Sequence, residues 1–187
     1  MPRSLRSIYQ LKVALKGIRP PVWRRLLVPS SVSLPDLHDI IQISMGWTDS
    51  HLHQFVCGQV SFGQPDPEFP DNVADETGVR LGRVLAAEGE SLVYEYDFGD
   101  GWEHDVTLEK VLPYERGIGV RCTGGRRSCP PEDVGGVYGY AEFLEAYAEP
   151  KHRRHREMRM WAGPHFDPNL FDVGEVNVML RQRRASA

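Results

Sequence analysis

The sequence predicts an α+β fold: a mostly antiparallel sheet with a central hairpin, one helix in the N-terminal half and a helical C-terminal third. Three observations predict it. Ile8 to Leu15 sets Ile8, Gln10 and Lys12 against Tyr9, Leu11, Val13 and Leu15, the period of a half-buried strand. Ser91 to Asp97 and Trp102 to Val111 are strand-like runs joined by Phe98-Gly99-Asp100-Gly101, whose glycines supply the positive φ of a tight hairpin. Apolar residues recur at helical spacing at Leu37, Ile40, Ile41 and Met45, and again beyond Tyr140.

The remaining elements follow in order. Pro20-Pro21 punctuates the chain, and Val22 to Val28 reads as a second strand with Arg24 and Arg25 near a sheet edge or rim. Ser33 caps the first helix, with Pro35 in its first turn, Asp36 as the third helical residue and Gly46 as the stop. His51 to Cys57 is rich in strand formers, and Val60 to Phe62 pairs back across Gly58-Gln59. Residues 63 to 80 read as a long surface loop, followed by a short helix from Leu81 to Ala87. Arg121 to Gly136, dense in glycine and proline, reads as an ordered loop of special geometry. Tyr140 to Tyr147, His152 to Trp161, and Val173 to Leu180 behind an Asp172 cap supply the C-terminal helices.

A chain of 187 residues suits one domain, with a structured core from about 8 to 180. Its 41% hydrophobic and 26% charged residues are those of a globular protein and exclude a disordered or collagen-like chain. No stretch approaches the roughly 20 apolar residues of a membrane span. The first residues are basic but lack the apolar run of a signal peptide, so the chain reads as neither secreted nor membrane-bound. Cys57, Cys122 and Cys129 are an odd number and too sparse for a disulfide framework, which fits a reducing cytoplasm. A net charge of -4 gives no global attraction to nucleic acid. Lys151, Arg153, Arg154, Arg156 and Arg159 nevertheless form a local basic segment, and Arg181, Arg183 and Arg184 a basic C-terminus.

Several constellations could carry chemistry. His51 and His53 are two apart on a predicted strand, so both would face one side and could share a metal; the structural alternative is one core histidine and one solvated. His104 falls in phase with Trp102, Val106 and Leu108, on the apolar face of its strand. A buried imidazole needs a partner: a backbone carbonyl or Tyr94, or a site shared with His51, His53, Asp97 or Asp100. Glu132 and Asp133, within a Pro-Pro-Glu-Asp-Val-Gly-Gly run, could bind a cation or polarise water, or else cap a turn or pair with Arg126 and Arg127. Cys122 and Cys129 lie too far apart for a zinc knuckle. No Walker A loop, GxSxG elbow, HExxH pair or dinucleotide fingerprint occurs, and no catalytic nucleophile is assigned.

Four strings, HLHQF at 51 to 55, YEYDFGDGWEH at 94 to 104, CPPEDVGGVYGY at 129 to 140 and FDPNLFDVGEVN at 166 to 177, together resemble the plasmid pRiA4b ORF-3-like family, in order and over nearly the whole chain. The resemblance implies an association with plasmids and insertion elements. Val134 stands where family members often carry a third cysteine, a departure that weakens a cysteine-based metal site. The reading that follows is an accessory or binding module whose face of His51, His53, His104, Asp97, Asp100, Glu132 and Asp133 takes a ligand or a protein partner. Its rivals are a hydrolase or nuclease using a divalent metal such as zinc, and a nucleic-acid-binding protein using the segment 151 to 159.

Overall fold

The alternation along Ser7–Leu15 is realised as strand β1, with Tyr9, Leu11, Val13 and Leu15 buried. The structure, a computed structural model, describes residues 7–65, 73–115, 117, 119–163 and 165–185, with the last helix's side chains described as far as Arg183. After β1 come β2 (Trp23–Pro29), α1 (Leu34–Met45), β3 (His53–Cys57), β4 (Val60–Gly63), β5 (Val73–Asp75) and α2 (Leu81–Val84). Then follow β6 (Ser91–Tyr96), β7 (Trp102–Pro113), β8 (Arg121–Arg126), α3 (Gly136–Ala148), α4 (His155–Trp161) and α5 (Val173–Ala185). The strands form one sheet in the order β5-β4-β3-β6-β7-β1-β2-β8. Neighbours are antiparallel except β4 and β5, which run parallel.

The predicted hairpin is β6–β7, and it lies at the middle of this order. Along β7, Trp102, His104, Val106 and Leu108 turn inward, beside Leu92, Tyr94 and Tyr96 of β6. The apolar stripe of α1, with Leu37, Ile40, Ile41 and Met45 buried, joins the same core. That helix starts and stops where its chemistry dictates. The Ser33 hydroxyl accepts the Asp36 N–H at 3.2 Å, and Gly46 closes the helix in the left-handed region at φ 101°. Among the described residues no helix is long and apolar enough to cross a membrane.

Four local expectations need correction. Arg121–Arg126 is an edge strand against β2, not part of a loop. Its glycines mark close packing: a Cβ on Gly125 would stand 2.5 Å from the Phe171 ring and 2.8 Å from the Trp23 carbonyl. Arg24 does not sit at a rim but is fully buried. Its Nε donates to the Ser44 carbonyl at 2.6 Å and its Nη1 to the Arg126 carbonyl at 3.1 Å, with Phe171 stacked 4.1 Å away. The guanidinium thus satisfies the carbonyl end of α1, which carries no basic residue of its own in its last turn. Within residues 63 to 80, Val73–Asp75 forms β5 and Glu76 is buried, whereas residues 66–72 lie outside those described. Lastly, β3 begins at His53, so His51 lies in the connection that precedes it.

Candidate functional site

Because His51 precedes the strand, the two histidines diverge. The His53 Nε2 lies 3.1 Å from a Glu76 carboxylate oxygen, and its ring stacks on His38 at 3.6 Å between centroids. His38, buried on α1, meets the Tyr94 hydroxyl through Nδ1 and Asp49 through Nε2, both at 2.8 Å. Gln42 donates to the same Tyr94 hydroxyl at 2.8 Å and accepts the Asp49 N–H at 2.9 Å. Burial, reinforced by the His53 charge, lowers the His38 pKa. This network therefore ties the 48–51 connection to α1 and β6. Sequence reading missed His38 and Glu76. For His38 a signal existed, since position 38 falls with 34, 37 and 41 on the apolar stripe of α1.

His51 turns to the hairpin and to the Pro-Pro-Glu-Asp loop instead. Its Nε2 stands 3.1 Å from Asp133 Oδ1 and 3.6 Å from Asp97 Oδ2. Although Asp133 stands 3.1 Å away as an ion-pair partner, the buried Nε2 makes no hydrogen bond. One ligand atom from each of His51, Asp97 and Asp133 lies within 4.8 Å of the others. Ligands held about 2.1 Å from one metal ion are themselves separated by roughly 3.0–3.4 Å, a spacing that His51 and Asp133 meet at 3.1 Å and His51 and Asp97 approach at 3.6 Å.

Each acid reaches the cluster through unusual backbone. Asp97 opens the β6–β7 turn at φ 56°, and its Oδ1 accepts the N–H groups of Gly99 at 3.0 Å and Asp100 at 3.2 Å. Those bonds aim Oδ2 at His51 while the residue stays only 5% exposed. Asp133 is likewise left-handed at φ 56°. Such φ values are uncommon for residues with a Cβ and persist where surrounding contacts enforce them. Asp100 takes no part as a ligand here. Its carboxylate accepts the Gly135 N–H at 3.0 Å and docks the start of α3 on the hairpin turn.

Glu132, next to Asp133, has one saturated oxygen and one bare oxygen. Its Oε1 accepts the Thr48 N–H at 2.8 Å, the Thr48 hydroxyl at 3.0 Å and the Tyr96 hydroxyl at 3.1 Å. Burial pushes the Tyr96 phenol up, and the Glu132 charge adds to this, so Tyr96 remains a donor. Glu132 Oε2 is buried without a hydrogen-bond partner. The expected pairing of Glu132 and Asp133 with Arg126 and Arg127 is not among the ion pairs of the described residues; Asp133 pairs with His51.

His104 stands apart from this cluster. It is wholly buried, bonds through Nδ1 to the Tyr94 carbonyl at 3.2 Å, and has its pKa pushed down to about 4 by burial. The three cysteines are free thiols, with Cys122 and Cys129 buried. In the basic segment, Arg154 pairs with Glu157 at 3.1 Å and Arg159 lies 4.5 Å over the Tyr147 ring. Lys151, Arg153 and Arg156 stay exposed. At the C-terminus Arg183 bridges Asp36 and Asp39 of α1, while the side chain of Arg184 lies outside those described.

Comparison with known proteins agrees with the resemblance in the four sequence strings. The family model for plasmid pRiA4b ORF-3-like protein matches residues 7–175. The uncharacterized protein y4hQ of Sinorhizobium fredii (strain NBRC 101917 / NGR234) is 44% identical over 158 residues, 84% of this chain and 81% of that relative. The crystal structure of MM3350, a protein of unknown function from Methanosarcina mazei Go1, superposes with a TM-score of 0.84 at 37% identity. That superposition covers 92% of this chain and 98% of the other.

Proposed function

The chain belongs to the plasmid pRiA4b ORF-3-like family, and from that premise we propose that it is a ligand-binding module whose grip is a divalent cation held by His51, Asp97 and Asp133. One observation carries this reading: three ligand atoms from three separate segments converge, with the His51 nitrogen close to a carboxylate yet not hydrogen-bonded to it. Without a cation, a mostly buried Asp97 faces a second carboxylate across an imidazole, an arrangement that desolvation disfavours. A cation reverses that balance. One imidazole and two carboxylates suit zinc or manganese, and three protein ligands leave coordination positions for an incoming group.

Titration calorimetry of untagged protein with zinc and manganese chloride tests the reading. The expected result is one cation per chain, with affinity reduced at least ~10-fold in His51→Ala, on the scale of losing a single ligand or its orienting partner. Circular dichroism of the variant separates a binding loss from a folding loss. Absence of binding by the wild-type chain for either metal would overturn the proposal.

A further inference from the structure

We infer that the protein carries a second binding site, for a small oxyanion of the carboxylate or phosphate kind, formed by the Arg127 guanidinium and the Tyr140 hydroxyl. The site is independent of the cation reading, since neither residue is among the three proposed ligands.

The first observation is a pair of neighbouring polar groups without acceptors. Tyr140, on α3, is 1% exposed, yet its hydroxyl has no hydrogen-bond partner. Arg127 Nε is buried and equally unbonded. Burial pushes the Tyr140 phenol pKa up, and the Arg127 guanidinium beside it opposes that rise, so the two side chains share one environment. Buried polar groups are nearly always hydrogen-bonded, and one left bare carries its full desolvation penalty. A guanidinium has donors only, so the partner it lacks is an acceptor, and a phenol can donate to that same acceptor.

The second observation is charge. Among the described residues no ion pair includes Arg24 or Arg127. The buried Arg24 directs its N–H groups at the main-chain carbonyls of Ser44, Trp23 and Arg126, which bring no net charge. Cys129 links the two arginines, because its thiol feels Arg24 and in turn bears on Tyr140. Burial holds that thiol well above its ordinary pKa, so it stays neutral. Glu132 also bears on Cys129, but its bonded oxygen is held by Thr48 and Tyr96 and it pairs with neither arginine. Two guanidinium charges against one carboxylate leave the region net positive, and a partly buried positive charge favours an anion.

The third is how firmly the two groups are held. Arg127 has φ 68°, a left-handed value that persists for a residue with a Cβ only where its surroundings enforce it. Those surroundings are explicit. Arg24 holds the carbonyl of residue 126 at 3.1 Å, and the Ser128 hydroxyl donates to the carbonyls of Asp167 at 2.6 Å and Leu170 at 2.9 Å. The same 166–170 segment sets the Phe166 ring 5.3 Å from Phe143, which stacks on Tyr140 at 6.1 Å. Loop and helix are thereby fixed to each other before any ligand arrives. Arg127 as a residue is only half-buried, which leaves a small anion a path from solvent, and its planar fork matches the paired oxygens of a carboxylate or phosphate.

Calorimetric titration of the full chain, stripped of metal and kept in chelator, with inorganic phosphate and separately with sodium acetate tests the inference. One anion per chain is expected for at least one probe, and the tighter of the two tells phosphate from carboxylate recognition. Tyr140→Phe should weaken binding by about 10–100-fold, the scale of one hydrogen bond to a charged group. It should not lower the thermal midpoint of the anion-free protein, because the lost hydroxyl had no partner there. Arg127→Gln should remove saturable binding, and Arg127→Lys, which keeps the charge without the fork, should restore only part of it; circular dichroism confirms that each variant is folded. A wild-type chain that binds neither anion overturns the inference, as does wild-type affinity in Tyr140→Phe together with a lowered midpoint. Anion binding that appears only when zinc or manganese is added would make the anion a ligand of the cation and overturns it too, whereas failure of the cation titration leaves this site untouched.

Discussion

His51 and His53 are separated by one residue, yet one faces two aspartates and the other a buried glutamate, because the strand begins between them. The period-two rule that would align them holds only inside a strand. His104 obeys the same rule, because it lies well inside β7, and it arrives in the core bonded to the Tyr94 carbonyl. Its pKa, pushed down to about 4 from an ordinary 6.5, makes a pH prediction. The unfolded chain takes up a proton at this residue near pH 6.5 and the folded chain only near 4, so the unfolded state gains as pH falls through that window. Stability should therefore decline between about pH 6.5 and 4, by on the order of 3 kcal/mol from this group, with His38 adding in the same direction. Urea denaturation at pH 7, 5.5 and 4.5 reads the decline, and His104→Gln should flatten it; an unchanged slope in that variant would refute the assignment.

At the scale of elements, the candidate site is a junction between the α1–β3 connection, the β6–β7 turn and the loop entering α3. Each is pinned by bonds to another: Ser50 N–H to the Tyr96 hydroxyl at 3.0 Å, Thr48 to Glu132, and Gly135 N–H to Asp100. Gly136 is the tightest point. It has φ 67°, and a Cβ there would lie 2.4 Å from the Asp100 carbonyl oxygen. Gly136→Ala should therefore destabilise the fold by about 1–3 kcal/mol, the usual cost of a strained backbone position. By displacing the loop that carries Asp133, it should also weaken cation binding more than thermal stability alone accounts for. A melting curve and a calorimetric titration on the same preparation compare the two losses.

Over the whole molecule, the sheet order interleaves distant segments. β1 pairs with β7 roughly a hundred residues away, and β8 returns to close the edge beside β2. These pairings hold the three site segments in one place before any ligand arrives, at the cost of long loop closures during folding. A cation that binds only this assembled arrangement must stabilise it globally. At a free concentration 100 times the dissociation constant the gain is about 2.7 kcal/mol, which should raise the thermal midpoint in zinc or manganese, and a site weakened tenfold or more in His51→Ala should gain about 1.4 kcal/mol or less and shift by no more than about half as much. Equal shifts in both proteins would place the stabilising ion elsewhere.

Local rules were sufficient wherever one segment decides its own state. The alternation of β1, the cap and stop of α1, the central β6–β7 hairpin and the inward face of His104 were all legible, because each depends on neighbours within a turn or a strand. Glycine misled at β8, where Gly124 and Gly125 read as a loop but make room for Phe171 and Trp23, a contact set by residues some fifty and a hundred positions away. The same limit governs the site. Sequence alone supplied His51, Asp97, Glu132 and Asp133 as chemically suited residues and grouped them with His53, His104 and Asp100. Tertiary structure separated the group, because convergence depends on where three loops end, and only the long-range pairings of the sheet fix those ends.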